Sequence, residues 1–221
     1  MFGKVMIAED HESSNFSVQK VLQDLNISSV EYFYYCDDAF SNFKKSLNNE
    51  KPFDLLITDL NFEEDHRKQM IKDGKELIKS CRSIDPGLKV IVFSAEHKIG
   101  IIDMLFQQLK INAFVRKARS DSKELKKAVE HVYNGDKYIS HDLKLPVKAM
   151  NTLEFSNFDI ILLKLLSEGI LQKNIPPVLQ TKNISPNSLS SIEKKINGMK
   201  ILLKVTNNEQ LIAKCKDLGI I

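Results

Sequence analysis

Acidic, hydroxyl and amino side chains follow four short apolar segments in the first half of the chain. The first segment ends at Glu9 and Asp10, the second at Asp59, the third at Ser94 and the fourth at Lys117. Clustered carboxylates repel one another and raise each other's pKa unless a cation neutralises them. A hard divalent cation, Mg²⁺ (or Mn²⁺), prefers oxygen ligands of this kind and keeps coordination positions open for phosphate. These residue types therefore predict a site for phosphoryl chemistry.

Asp59 is the candidate nucleophile of this set. A carboxylate held beside a divalent cation can attack a phosphoryl donor and become an aspartyl phosphate. Positioning and charge stabilisation, supplied by the cation and Lys117, then account for most of the catalysis. Ser94 can donate its hydroxyl to the new phosphoryl group. A single Asp at a strand end is more often a helix cap, but four strand ends in this order favour a site.

The segments that carry these residues have the length and composition of buried strands. Apolar runs of four to eight residues between polar residues are typical of strands buried on both faces of a parallel sheet. Segments with apolar residues at helical spacing alternate with them, which predicts right-handed crossovers and a doubly wound α/β sheet. Functional residues of such sheets collect at the carboxyl ends of the strands. The predicted strands are 4–8, 29–35, 53–58, 89–93 and 113–116.

The residues at these strand ends resemble the site of receiver domains in two-component response regulators, from about residue 3 to residue 135. The resemblance implies a flavodoxin-like doubly wound parallel sheet of five strands in the order 2-1-3-4-5. It also implies that a sensor histidine kinase, or a small phosphodonor, supplies the phosphoryl group. The family's positions correspond to Glu9 and Asp10 (acidic metal pair), Asp59 (phosphoacceptor), Ser94 (switch hydroxyl) and Lys117 (the family's lysine).

Two further roles follow from the resemblance alone. Phe114 lies three residues before Lys117, at the position of the family's switch aromatic. Asn61 lies two residues after Asp59, where the family uses a backbone carbonyl as a metal ligand.

The segment after Asp59 departs from the family pattern. Receivers usually have Met-Pro after the phosphoacceptor and reach an Asp-Gly pair about eight residues later, whereas Gly74 here follows Asp59 by fifteen residues. The loop of residues 62–73 is therefore long and heavily charged. It either alters metal access, phosphoryl lifetime or partner choice, or is a solvated insertion without a role. Ala118 replaces the proline that often follows the lysine.

Composition and charge divide the chain of 221 residues into two parts. Residues 1–115 contain 14 Lys and Arg against 18 Asp and Glu, and residues 116–221 contain 18 against 11. An acidic half followed by a basic half is typical of a phosphorylation sensor joined to a nucleic-acid reader. We expect a receiver domain at 1–135, a linker at 136–152 and a second domain at 153–221. Gly135 to Ser140 resembles the linker entrance of the NarL/FixJ subgroup.

Several classes of protein do not fit the sequence. No apolar run approaches the roughly 18 residues of a membrane span, and the first strand begins directly after the N-terminus, so we expect no signal peptide. Three cysteines without pair spacing argue against a disulfide framework or a zinc site. We therefore expect a cytoplasmic protein that does not bind a membrane.

The second part resembles the LuxR-type helix-turn-helix domain, a small all-α domain of four helices. Phe155 to Gly169 and Ser185 to Ile196 carry the resemblance, and the pair Pro176 and Pro177 departs from it. We expect Ser185 to cap the third helix with Pro186 at its first position. The predicted helices are 157–166, 175–179, 186–203 and 208–218.

The resemblance implies that the third helix lies in the major groove of double-stranded DNA and reads bases with its N-terminal half. Lysines and amides would hold phosphates, while Ser and Asn give modest base discrimination. Leu211, Ile212 and Leu218 either form a dimer contact that doubles the half-site or belong to the core. The predicted DNA-binding residues are Asn187, Ser188, Ser190, Ser191, Lys194 and Lys195.

Together these features predict a response regulator that controls transcription. Phosphorylated at Asp59, it would bind an inverted repeat as a homodimer. Its only catalysis would be Mg²⁺-dependent phosphorylation of itself and loss of that phosphoryl group.

Three alternatives stand beside this hypothesis. The helical domain can serve a protein-interaction adaptor that does not bind DNA. A phosphatase of the haloacid dehalogenase type needs a second Asp two residues after the nucleophile, where this chain has Asn61. A receiver that is never phosphorylated is the third.

Overall fold

A parallel β-sheet lies at the centre of the N-terminal unit. The computed structural model describes residues 1–48, 51–143 and 155–221, in two compact units formed mainly by residues 1–145 and 146–221. Six strands pair in the order β2-β1-β3-β4-β5-β6, and every pairing is parallel. The strands are β1 (Val5–Ala8), β2 (Val30–Phe33), β3 (Leu55–Thr58), β4 (Lys89–Ser94), β5 (Ala113–Arg116) and β6 (Tyr138–Ile139).

The doubly wound parallel sheet is confirmed, but the predicted count of five strands is wrong by one. The additional strand, β6, has only two residues, so it carries no period that a sequence can show. The Tyr138 amide donates to the Asn112 carbonyl at 3.0 Å, and the Tyr138 hydroxyl donates to Glu124 at 2.9 Å. β6 lies within the segment predicted as a linker; residues 144–152 of that segment lie outside the described residues.

Within the described part of this unit, five helices pack on the two faces of the sheet. Apolar side chains of α1 and α5 form one core with alternate residues of the strands, including Ile7, Ile57 and Val115. The intervening residues, such as Met6 and Phe114, are equally buried and point to the opposite face. The helices are α1 (Glu12–Asp24), α2 (Cys36–Leu47), α3 (Gly74–Ile84), α4 (Ile99–Gln107) and α5 (Asp121–Tyr133).

Residues 155–221 fold into four α-helices and one 3₁₀ turn. Ser156 and Asp159 form a capping box at the first helix, in which each side chain accepts a hydrogen bond from the other's backbone amide. The core of this unit contains Leu162, Ile192 and Ile196. Across the described residues, no helix combines the length and the apolar character that crossing a membrane requires. The elements are α6 (Asn157–Ser167), the 3₁₀ turn (Gln172–Asn174), α7 (Ile175–Thr181), α8 (Leu189–Leu203) and α9 (Asn208–Asp217).

The predicted start of the third helix of this unit is wrong. Helix α8 begins at Leu189, and its cap is Ser188, whose side chain accepts a hydrogen bond from the Ser191 amide. Ser185 and Pro186 lie before the helix. A serine at either position can cap a helix by accepting a hydrogen bond from the backbone amide three residues later. The sequence alone therefore did not distinguish Ser185 from Ser188.

Candidate functional site

The carboxyl ends of four adjacent strands bring the predicted site residues to one edge of the sheet. Glu9, Asp59 and Lys117 each follow the last residue of their strand, and Ser94 is the last residue of β4. The parallel register aligns these strand ends. From β1 the chain adds β2 on one side, and it then returns to add β3 and the later strands on the other side of β1. Ligands of open α/β sheets bind at the point where the strand order reverses in this way. Glu9 and Asp59 therefore lie at the expected place for chemistry.

Lys117 joins the two buried carboxylates of the site. Its Nζ lies 2.7 Å from Glu9 Oε2 and 2.6 Å from Asp59 Oδ2. The side chains of Glu9 and Asp59 are 2% and 8% exposed, and that of Lys117 is 17% exposed. Ionised hydrogen bonds of this length are strong in surroundings that hold little water. The prediction that these residues meet in space agrees with this geometry.

Burial sets the electrostatics of this group. Burial raises the pKa of Glu9, and the nearby charge of Asp59 adds to the rise, although the hydrogen bond and charge of Lys117 oppose it. Burial alone would lower the pKa of Lys117, but its bonds to Asp59 and Glu9 outweigh burial and raise that pKa. One ammonium thus does not fully compensate the carboxylates, and the site favours an additional positive charge.

The donors that surround this position suit a hard divalent cation. The Asp10 side chain is 15% exposed, and its Oδ1 lies 3.0 Å from His11 Nδ1. Ligand atoms of Glu9, Asp10 and His11 lie within 4.8 Å of one another. The sequence did not single out His11. The Asn61 amide is 3.4 Å from Asp59 Oδ1, and the metal-binding role of its carbonyl stays a prediction. Carboxylate and carbonyl oxygens are the ligands that Mg²⁺ prefers.

Gly74 makes a contact with the acceptor residue that the sequence did not reveal. A Cβ added at Gly74 would lie 1.8 Å from the Asp59 carbonyl oxygen, and the Gly74 amide donates to the Leu60 carbonyl at 3.0 Å. Helix α3 therefore begins directly against the backbone of Asp59. The Asp73 side chain caps this helix by accepting from the Glu76 amide at 2.8 Å. An Asp-Gly pair before a helical segment was the available signal for this contact.

Ser94 and Phe114 are both fully buried beside the site edge. The Ser94 hydroxyl accepts from the Glu96 amide at 3.4 Å. Phe114 lies in β5 and is aligned with Val92 of β4. The switch roles of these two residues stay predictions, and in the described structure the Phe114 ring is in a buried position.

The predicted DNA-binding residues lie at and just before the start of α8. Ser190, Lys194 and Lys195 are exposed on the helix, whereas Asn187 and Ser191 are half-buried. Ser188 is exposed but uses its hydroxyl in the cap. The Lys195 ammonium lies 3.4 Å from a carboxylate oxygen of Asp159, which is 7% exposed, so Lys195 is partly committed to an ion pair. Contact with DNA stays a prediction for all six residues.

The three residues considered for a dimer contact lie in or against the core of their own unit. Leu211 is fully buried, and Ile212 and Leu218 are half-buried against the same cluster. Of the two readings that the sequence left open, the structure therefore favours the core for Leu211.

Comparison with protein families identified one matching model. The model described as the response regulator receiver domain matches residues 5–130 of this chain. This range is more than half of the chain and contains all the acidic residues of the site as well as Ser94 and Lys117. A search of curated proteins gave no match.

Solved structures of similar fold cover nearly the whole chain. The RcsB response regulator of Salmonella typhimurium, in a study of its conformational dynamism for DNA interaction, is 23% identical, with 97% of this chain and 99% of that chain covered at a TM-score of 0.72. A structure of two RcsB dimers bound to two parallel DNAs has 23% identity, 98% coverage of both chains and a TM-score of 0.65. RcsB from Salmonella enterica serovar Typhimurium, bound to promoter P1flhDC with the phosphomimetic BeF3⁻, has 23% identity, 98% coverage of both and a TM-score of 0.63. Similarity at this identity shows a shared fold.

Proposed function

The chain belongs to the response regulator receiver family, and we propose that phosphorylation of Asp59 controls DNA binding and transcription through its C-terminal helices. The observation that carries the proposal is the position of Lys117 Nζ, 2.7 Å from Glu9 and 2.6 Å from Asp59. One phosphoryl group on Asp59 would lie within reach of this ammonium. The phosphodonor in the proposal is the phosphohistidine of a sensor histidine kinase.

In the proposed reaction, an oxygen of the Asp59 carboxylate forms a bond to phosphorus while the P–N bond of the phosphohistidine breaks. The imidazole keeps the bonding electrons and takes up a proton from water. Lys117 pairs with a phosphoryl oxygen and offsets the charge that is transferred. Glu9, Asp10, Asp59 and the Asn61 carbonyl would hold Mg²⁺ (or Mn²⁺), which supplies further charge neutralisation when bound. Attack of water on phosphorus later breaks the bond to the Asp59 oxygen, which releases inorganic phosphate and restores the carboxylate.

The switch follows from the groups beside the acceptor. Phosphorylation adds negative charge next to Lys117 and brings a strong acceptor within reach of the Ser94 hydroxyl. We expect this charge to draw Ser94 and Lys117 towards the phosphoryl group and to favour the state in which Phe114 is buried, which is its position in this structure. The change is a population shift between two packings of the same chain.

Helix α8 is the proposed DNA-binding element. Ser190 and Lys194 are exposed on its N-terminal half, and the part of the chain that contains it is basic, with 18 Lys and Arg against 11 Asp and Glu after residue 115. RcsB, which shares the fold, has been solved as dimers bound to DNA. We propose that the phosphorylated chain binds an inverted repeat as a homodimer through domain 153–221, which is joined to the receiver by the segment that follows β6.

The setting of this function is the cytoplasm, where a kinase and the chromosome are both accessible. The three cysteines are buried and free among the described residues, as suits a reducing compartment.

Selection from a random duplex library tests the proposal directly. The full-length protein is incubated with the library in Mg²⁺, with and without beryllofluoride as the phosphoryl mimic, and bound fragments are sequenced. We expect an inverted repeat whose enrichment increases with the mimic. Asp59→Asn is the control, because it removes the acceptor carboxylate and should leave enrichment insensitive to the mimic.

Two outcomes would contradict the proposal. Radioactive labelling of Asp59→Asn to the wild-type level by a phosphodonor would exclude Asp59 as the acceptor. Failure to enrich any duplex in either state, although the mimic binds at Asp59, would instead support a phosphorylation-dependent protein-interaction adaptor.

A further inference from the structure

The 62–73 loop, between Asp59 and α3, is fixed along its backbone by carboxylates. Five of its amides donate to carboxylate oxygens at 2.6 to 3.0 Å. Backbone donors in a solvated insertion would be satisfied by water. Three of these amides donate to Asp10 and Asp37, which lie more than thirty residues away in the chain, so they indicate a docked segment. The pairs are Glu63 to Asp10, Arg67 to Asp65, Met70 and Ile71 to Asp37, and Lys72 to Glu76.

Arg67 makes a bidentate side-chain contact between this loop and α2. Its two terminal nitrogens donate to the two oxygens of Asp38 at 2.7 and 2.6 Å, and its guanidinium carbon lies 4.3 Å from the centroid of the Tyr35 ring. The Tyr35 hydroxyl donates to Asp65 at 2.7 Å. A bidentate, stacked guanidinium fixes geometry in a way that a single point charge does not. Tyr35 and Asp38 lie at the start of α2, so this end of the loop is anchored there.

The other end of the loop touches the candidate cation site. The Glu63 amide donates to Asp10 Oδ2 at 2.6 Å, while Asp10 Oδ1 lies 3.0 Å from His11. The Glu63 side chain is 83% exposed, and its Oε1 lies 3.6 Å from His11 Nε2, which is a second and more exposed contact at this end of the loop. Asp65, with its bonds to Tyr35 and Arg67, follows only two residues later. The anchor at α2 therefore supports the position of the Glu63 amide in addition to the exposed contact with His11.

We propose that Arg67 is a positioning residue for the divalent-cation site: docked on Asp38 and Tyr35, it holds the Glu63 amide against Asp10. The inference rests on the proposed function, in which Asp10 is a cation ligand. Hydrogen bonds to a ligating carboxylate fix its orientation, and their loss typically weakens metal affinity by about 10- to 100-fold. Arg67 acts through one intervening contact, so the lower end of this range applies.

The first test compares Arg67→Ala with Lys68→Ala, an exposed neighbour in the same loop. Mg²⁺ affinity of the unphosphorylated full-length protein is measured by isothermal titration calorimetry. Arg67→Ala should raise the Kd about tenfold, and Lys68→Ala should leave it within about twofold of wild type. Amide hydrogen exchange without Mg²⁺ gives an independent readout, since the Glu63 amide should lose protection only in Arg67→Ala.

The Mg²⁺ requirement and the maximal rate of phosphorylation distinguish a positioning role of Arg67 from a general loss of structure. Phosphorylation by a small phosphodonor, followed against Mg²⁺ concentration, should need about tenfold more Mg²⁺ in Arg67→Ala and reach nearly the wild-type rate at saturation. Tyr35→Phe keeps the stacked ring but removes the bond to Asp65, and should shift the Mg²⁺ Kd less in the same direction. The double variant Asp38→Arg with Arg67→Asp should recover part of the affinity. Should Arg67→Ala fail to fold, these two variants carry the test.

The outcomes distinguish this inference from the proposed function. A wild-type protein phosphorylated at Asp59, with equal Mg²⁺ Kd values for Arg67→Ala and Lys68→Ala, overturns the positioning role alone. Weaker Mg²⁺ binding by Arg67→Ala in a protein that no donor phosphorylates overturns the function and supports the positioning role. A wild-type protein that binds no Mg²⁺ also overturns the positioning role, because there is then no cation site for Arg67 to support.

Discussion

Lys117 bonds the two buried carboxylates of Glu9 and Asp59 at one edge of the sheet. Removing charged groups from water costs several kcal/mol for each group, and the raised pKa of Glu9 shows that burial outweighs the compensation from Lys117. A pair of apolar residues would stabilise the fold as well without this cost. The arrangement is therefore explained by chemistry rather than by stability, because the excess negative charge suits a cation.

Gly74 lies too close to the Asp59 backbone to accept a larger side chain without loss of stability. In Gly74→Ala the new Cβ would meet the Asp59 carbonyl at 1.8 Å, so the backbone must move. We expect the free energy of unfolding to fall by about 1–3 kcal/mol and phosphorylation of Asp59 to slow at least about tenfold as the nucleophile is displaced. Thermal unfolding and phosphodonor labelling measure the two effects.

Gly198→Ala is the matched control for Gly74→Ala. Gly198 lies within α8, and a Cβ there would have no atom within 4 Å. Alanine should therefore stabilise the helix by about 0.5–1 kcal/mol and leave labelling of Asp59 unchanged. Similar losses of stability in both variants would show that the close approach of Gly74 to Asp59 is not the cause.

Among the elements, β6 is held by its backbone pairing with β5 and by one side chain of α5. Glu124 accepts from the Tyr138 hydroxyl at 2.9 Å and from the His141 amide at 2.8 Å, and its side chain is 16% exposed. Burial would raise the pKa of Glu124, but the bonds from His141, Lys127 and Tyr138 outweigh burial and lower it. The ionised carboxylate is thus the form that holds β6 to the sheet.

Glu124→Ala should cost about 1–3 kcal/mol, because it leaves the Tyr138 hydroxyl without this acceptor. A carboxyl with a lowered pKa stabilises the fold above its unfolded value of 4.5 and loses that contribution as pH falls through the folded value. Glu124→Ala should therefore flatten this part of the acid dependence in urea unfolding. Lys127→Ala removes only the exposed ion pair and should change stability by less than about 1 kcal/mol; equal losses would contradict the role given to Tyr138 and His141.

Substitution of Ser185 and of Ser188 tests which serine caps α8. Ser188 accepts from the Ser191 amide at 3.3 Å, whereas Ser185 lies before the helix. Ser188→Ala should destabilise the first turn of α8 by about 1 kcal/mol, and Ser185→Ala should have an effect below about 0.5 kcal/mol. Amide hydrogen exchange in α8 measures both. Lower protection in Ser185→Ala than in Ser188→Ala would contradict the observed helix start.

For the whole molecule, the sequence predicted what depends on local residue types and left out what depends on distant contacts. Asp59, Glu9 and Lys117 follow strands whose apolar runs are visible in the sequence, so their meeting at one edge of the sheet was predictable. β6 was not, because its two residues are held by Glu124 on another element. Docking of the 62–73 loop likewise depends on Tyr35 and Asp38, about thirty residues away in the chain.

The basic charge of the second part of the molecule predicts that its affinity for DNA depends on salt concentration. If α8 binds phosphates, affinity for the selected duplex should fall steeply between 50 and 200 mM salt. Lys194→Ala removes one exposed ammonium and should weaken binding to all sequences and reduce the slope of log K against log salt by about one. Lys195→Ala should reduce the slope less, because its ammonium is partly neutralised by Asp159 at 3.4 Å. Fluorescence anisotropy with a labelled duplex measures these slopes in the presence of beryllofluoride. A larger change of slope for Lys195→Ala than for Lys194→Ala would place the phosphate contact on the other side of α8, towards α6.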